Sequence, residues 1–279
     1  MPWKWRFPHD IHPMQASPVI LAGLLALAPL AAPAEAQPVR ATYDVYAAGM
    51  TILQFEAIFD ISPQGYRVET RLRTRGIAAT FVPGEQTSRA IGTWRGDAAR
   101  PSSFRAEGVW RGRPRLIDLG WEGGNPVVQA LVPPNDEERE PVPEAQRLGT
   151  IDSLSAMALL SRAVATTGSC EGQAPVFDGR RRSEFISRNG GQEVIRPWRT
   201  AWHGQALRCG FEGRLVSGFM RDQRRDQAAA PQRGTAWIAS PYAGAPPIPV
   251  RIEMESRWFG SATAVLLTAE SSTVAQRGQ

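Results

Sequence analysis

Few residues in this chain are able to do chemistry, and their spacing limits what that chemistry is. A hydrolase needs a nucleophile with a base beside it. Of the three histidines, His9, His12 and His203, only His203 lies beyond the N-terminal leader, in Trp202-His203-Gly204, which reads as a turn. No Gly-x-Ser-x-Gly run precedes a helix, so the elbow that presents a reactive serine is missing. Ser153 and Ser155 follow a helix start, where serine is ordinary capping chemistry. Asp118, Glu122, Asp178 and Glu193 are available as paired carboxylates, but nothing in their spacing brings them together. No catalytic residue is assigned. The chain reads as non-enzymatic, with a hydrolase as the remote alternative.

The other reactive pair is Cys170 and Cys209. In an exported protein an even pair reads first as a disulfide. Closing a loop of about 39 residues is worth roughly 4 kcal/mol in the chain-entropy account. A zinc site would need His203 and carboxylates to complete a tetrahedral set, so no metal and no cofactor are expected.

The sharpest polar cluster is Asp178-Gly179-Arg180-Arg181-Arg182. Two readings are open. Arg180 and Arg182 grip an anionic group through their forked donors, or Asp178-Gly179 is simply a turn and the arginines belong to the fold. Residues after the turn alternate faces, so Arg180 and Arg182 point together and Arg181 away. One arginine then pairs with Asp178 or Asp152. Tryptophan is the second abundant recognition residue: Trp94, Trp110, Trp121, Trp198, Trp202, Trp237 and Trp258 follow the leader. They either pack the core or line a concave face that accepts an acyl chain or other apolar ligand; Trp110 and Trp237 are the candidate contacts.

These side chains need elements to hold them. Residues 1–36 stand apart: Lys4 and Arg6, an apolar run from Val19 to Leu30, and Ala34-Glu35-Ala36 before Gln37 make a cleavable Sec-type leader. Its apolar run is too short to span a bilayer; an uncleaved anchor is the other reading. The expected product is a soluble periplasmic protein, monomeric and not membrane-spanning. The sequence holds 32 Lys and Arg against 27 Asp and Glu, a net charge of +5, and its only lysine is Lys4. Solvated strand faces account for such charge. An anionic partner, if there is one, is a lipid head group or wall polymer; no nucleic-acid motif is present.

One convincing helix follows the leader, over about 152–166. Asp152 is its N-cap, Ile151, Leu154, Met157 and Ala158 with Leu160 or Ser161 form its apolar stripe, and Gly168 ends it. Leu154 and Met157 are expected in the core, because a lone amphipathic helix must bury its stripe against a sheet. Strands precede it from Val39 to Val132, in runs such as Tyr66-Arg67-Val68-Glu69-Thr70-Arg71-Leu72 with period two. Pro133 to Arg147 reads as a solvated loop, either crossing between two halves of one sheet or linking two domains. Later strands are expected at 176–189, 192–199, 204–211, 214–219, 235–239, 249–255 and 261–270, with Asn189-Gly190-Gly191 as a hairpin turn. The tail from 271 to 279 is expected to be disordered.

This order of features resembles an exported bacterial family, domain of unknown function 3108. The matching pieces are Tyr43-Asp44-Val45-Tyr46 with Gly49, Gly149-Thr150-Ile151-Asp152-Ser153-Leu154-Ser155, Cys170, Val176-Phe177-Asp178-Gly179-Arg180-Arg181-Arg182, Cys209, Thr235-Ala236-Trp237-Ile238-Ala239, Pro249-Val250-Arg251-Ile252 and Leu266-Leu267-Thr268-Ala269. The resemblance implies a mainly β protein: a single strongly curved antiparallel sheet, a spiral or half-barrel, wrapped around one buried α-helix over residues 37–270. It supplies no catalytic residues. The expected role is envelope binding of a lipid-like ligand on the concave face, with an Arg-rich module docking on wall polymer, anionic lipid or an envelope protein as the alternative.

Overall fold

The computed structural model describes residues 37–256 and 260–272. The expected leader, Trp258 and the tail from residue 273 lie outside the described residues. Thirteen strands make one antiparallel sheet: β1 (Val39–Ala47), β2 (Met50–Ile61), β3 (Gly65–Thr74), β4 (Gly84–Arg95), β5 (Ala98–Trp110), β6 (Arg113–Glu122), β7 (Asn125–Val132), β8 (Gly172–Phe177), β9 (Arg182–Ile195), β10 (Gly204–Ser217), β11 (Gln232–Ala239), β12 (Ile248–Ser256) and β13 (Gly260–Ser271). Among the described residues four α-helices and one 3-10 turn (Glu144–Gln146) interrupt them: α1 (Gly76–Phe81), α2 (Asn135–Glu138), α3 (Ser153–Thr167) and α4 (Arg225–Ala228).

The sheet order is β7-β6-β5-β4-β3-β2-β1-β13-β12-β11-β10-β9-β8. Each half is a meander of neighbours in sequence, and the halves join where β1 pairs with β13. Period-two strands explain the meander, because each one-sided apolar strand needs a partner with the same face inward. On β1, Val39, Ala41 and Tyr43 are buried while Arg40 is exposed; on β3, Tyr66 and Val68 are buried. The opposite face carries cross-strand ion pairs such as Arg105–Asp118 at 2.6 Å.

The two outer strands come close to each other. Ile151 pairs with Val176 of β8 in a parallel bridge, and Arg139 pairs with Met220. Gly179, at φ +89°, sits so near β6 and β7 that an added Cβ would lie 2.7 Å from Ile117 and 3.4 Å from Leu131. The sheet is thus nearly closed into a barrel. Pro133 to Arg147 is the strap across this seam and is not simply a solvated loop: it forms α2 and buries Val142.

α3 packs against β2 to β5 and β8. Leu154, Ser155, Ala158 and Ser161 are buried. Met157 is only half-buried, while Leu160 and Val164 reach a second cluster around Cys170, Leu207, Cys209, Ala236 and Ile238. Cys170 and Cys209 are bonded, with Cα atoms 6.1 Å apart.

Three local expectations need correction. Asn189-Gly190-Gly191 is not a hairpin, because β9 runs straight through it. Gly191 takes φ +81° and the register against β10 shifts at Leu207/Cys209, so the glycines make a bulge. The two strands expected over 204–219 are one, β10. The chain also stays ordered past residue 270: Ser271 is still in β13, and Ser272 N donates to Pro38 O at 2.7 Å.

Candidate functional site

Three places bring polar or aromatic side chains together, and they differ in access. The first is inside, at the start of α3. Tyr66 on β3 donates to Ser155 Oγ at 2.7 Å, and the Ser155 hydroxyl donates to Asp152 Oδ2. Asp152 Oδ1 accepts from Leu154 N at 3.0 Å and Ser155 N at 2.9 Å, the capping geometry expected from sequence. Burial pushes the Asp152 carboxyl up to about 6 against the pull of these hydrogen bonds, and burial likewise raises the Tyr66 phenol. Hydroxyl beside carboxyl is nucleophile and base by type. Both residues are fully buried, however, so the array caps α3 and ties it to β3.

The second is the Asp178 turn between β8 and β9. Asp178 Oδ1 accepts from Arg180 N at 3.0 Å and Arg181 N at 2.7 Å, and Oδ2 pairs with the Arg181 guanidinium at 2.6 Å. Arg180 is turned inward, 8% exposed, and donates to Pro133 O at 2.8 Å. Burial, the largest influence on it, pulls its pKa down. Arg182 ion-pairs with Glu184 at 3.0 Å. Thus Arg180 serves the seam between the sheet's outer strands, Arg182 is paired along β9, and the outward Arg181 is neutralised by Asp178.

The third is a groove of about 920 Å³ lined by Tyr46, Val194, Ile195, Arg196, Pro197, Trp198, Trp237, Arg251 and Val265, with Glu193, Glu253 and Thr263. Ala236 and Ile238 pack toward α3's Leu160 and Val164, so alternation sends Trp237 to the opposite face of β11. Its Nε1 donates to Glu193 Oε2 at 3.1 Å, and the Arg251 guanidinium lies 5.4 Å from its ring. The β9–β10 connection forms the other wall. It is pinned by Trp202 N donating to Leu266 O at 2.7 Å. Trp198 meets Tyr46 edge to face at 5.0 Å, and Arg199 lies over the Trp198 ring at 4.8 Å. A neighbouring groove of about 720 Å³ is dominated by Arg188, Glu212, Arg233, Glu253 and Glu255, of which Arg233 and Glu212 pair with each other.

The four sequence candidates are therefore not brought together. Trp237 lies in the groove, Arg180 at the seam and Arg182 beside Glu184 on β9. Trp110 ends β5, with six strands between it and β11 in the sheet, and its ring covers Gly84. Trp198 was one of the seven tryptophans weighed as a lining but not chosen as a contact, and Tyr46 and Val194 were not weighed as contacts. The signal for Trp198 was the Arg196-Pro197-Trp198-Arg199 run, whose aromatic between two cations breaks the strand pattern.

The fold defines a class: a single antiparallel sheet nearly closed into a barrel. Within it, the chain belongs to the family described as "Protein of unknown function (DUF3108)", whose profile matches residues 40–267. It is also similar in fold to a crystal structure described as a beta-barrel-like protein of domain of unknown function DUF1849 from Brucella abortus. That similarity has a TM-score of 0.54 and 17% identity, and covers 86% of this chain and 99% of the other. No curated protein matches the chain.

Proposed function

We propose that this is a non-enzymatic envelope protein, exported to the periplasm, that holds a lipid-like amphiphile in the Tyr46–Trp198–Trp237 groove. In this reading the sheet curls round α3, and the helix fills the concave side while the ligand sits on the other face. The observation that supports it is the groove's lining: Tyr46, exposed Trp198 and Val194, and the edge of the largely buried Trp237 (8% exposed), beside Arg196 and Arg251, in a volume within the usual range for small-molecule sites, about 300–1,000 Å³. An acyl chain lies on the rings and its anionic head meets the arginines. Among the described residues no group of His, Cys, Asp and Glu is placed to hold a metal ion, and no helix is long and apolar enough to cross a membrane.

The test is titration with a fluorescent fatty-acyl probe. Trp198 is exposed, so Trp198→Ala leaves the fold intact and is expected to weaken binding by about tenfold, the scale of a well-placed aromatic contact. Raising NaCl from about 50 to 500 mM should change binding little, since apolar burial supplies most of the affinity. Arg180→Ala should leave the affinity unchanged, because that side chain is committed to Pro133. Absence of probe binding, or identical binding by Trp198→Ala, ends the reading.

A further inference from the structure

In an antiparallel meander alternate connections share an end, so the β1–β2, β3–β4 and β5–β6 connections lie together. The opposite end is built from short polar turns around Ser62, Gly96 and Gly123. The first end is different in chemistry. It exposes Met50, Ile77, Phe81, Val109 and Trp110, with Phe81 at 74% and Ile77 at 56%. α1 buries none of its residues. These side chains form one surface: Arg75 N donates to Ile52 O at 2.9 Å and Arg111 N to Pro83 O at 3.0 Å, setting α1 between the β1–β2 and β5–β6 tips.

Three exposed arginines, Arg75, Arg111 and Arg113, stand around the patch. Among the described residues none of them has a carboxylate partner, and Arg75 bonds the neutral Gln54 amide at 3.1 Å. This contrasts with the ion-paired arginines of the neighbouring strand faces, such as Arg73 with Glu85 at 3.2 Å. Large apolar side chains held outward beside three cations without carboxylate partners match the interface of an anionic bilayer. There the rings and chains enter the head-group region and the guanidiniums meet phosphates. A second copy of the chain is the poorer occupant, since face-to-face packing would bring the unpaired arginines of both copies together.

We infer that this end, with Ile77 and Phe81 at its apex, docks the protein on an anionic lipid surface. The surface is separate from the groove, and the inference stands or falls apart from it.

The experiment is cosedimentation of protein expressed from the full chain with vesicles of equal phosphatidylglycerol and phosphatidylethanolamine, against phosphatidylcholine vesicles. Binding to the anionic vesicles is expected to exceed binding to the neutral ones and to fall with salt. Ile77→Ser with Phe81→Ser should lower the partition coefficient by about tenfold or more while leaving thermal unfolding unchanged. Arg111→Ser with Arg113→Ser should lower it by about fivefold for each charge and flatten the salt dependence. Equal binding to neutral vesicles, or unchanged binding by either variant, overturns the inference. So does a dimer that the Ile77 and Phe81 changes dissolve, which would assign the end to a second copy. Trp198→Ala, which reads the groove alone, should bind vesicles as the parent does.

Discussion

Asp152 accepts hydrogen bonds that favour its charge while losing the water that favours it more, and burial wins. The unfolded chain releases this proton near pH 3.8, whereas the folded chain holds it to about 6. In that window the unfolded state binds fewer protons, so this residue's contribution to stability is full below about 4 and is lost as pH rises to 6. The span is about 3 kcal/mol. Asp152→Asn keeps an oxygen for the Leu154 and Ser155 N–H groups but cannot titrate. Denaturant unfolding from pH 4 to 6 should therefore show the parent losing stability relative to the variant, and parallel curves would refute the assignment. The cap itself was legible, because Asp152 stands directly before an apolar stripe. Its raised pKa was not, since it depends on burial beside Tyr66, a partner 89 positions from Ser155. The Asp178 turn was likewise legible, but which arginine paired with it depended on which side chain the seam drew inward.

Among the elements, α3 was the most legible, having caps at both ends and a stripe between them. Leu154 is buried against the main core, so Leu154→Ala should cost about 2–4 kcal/mol in chemical denaturation. Met157 is half-buried, and Met157→Ala should cost less, about 1–2 kcal/mol. Equal losses would mean that the helix sits with a different face inward. β9 misled because Asn-Gly-Gly is a strong local turn signal, yet β10 offers partners on both sides of it and long-range pairing overrode local preference. α1 left no trace in the pattern: six residues are too few for a helical period, and its apolar side chains face outward.

At the scale of the molecule, closure depends on a few contacts between segments remote in sequence. Gly179 combines a positive φ with a neighbour 2.7 Å from any added Cβ. Gly179→Ala is expected to cost about 2–3 kcal/mol and to speed amide exchange in β7 and β8 more than in β1; uniform exchange would show that the seam is not a separate unit. The disulfide holds the end of α3's segment to β10 across 39 positions, so reducing it should lower stability by about 3–4 kcal/mol. The single mainly β sheet was legible from alternation and family resemblance together. The seam was not, because no periodicity within strands records which edges approach.

The centre of the sheet joins the earliest strand to the latest. Tyr43 on β1 donates to Pro249 O, 206 positions further along, and β1 finds its second neighbour only in β13. As the chain folds, then, the first meander has nothing to cover the inner edge of β1 until β13 docks, and the second meander lacks its own last member until the same moment. A product cut short before Gly260 keeps an open β1 edge with unpaired N–H and C=O groups. The β1–β13 ladder thereby ties each half of the sheet to the other, and a chain lacking β13 leaves β12 as well as β1 with an open edge.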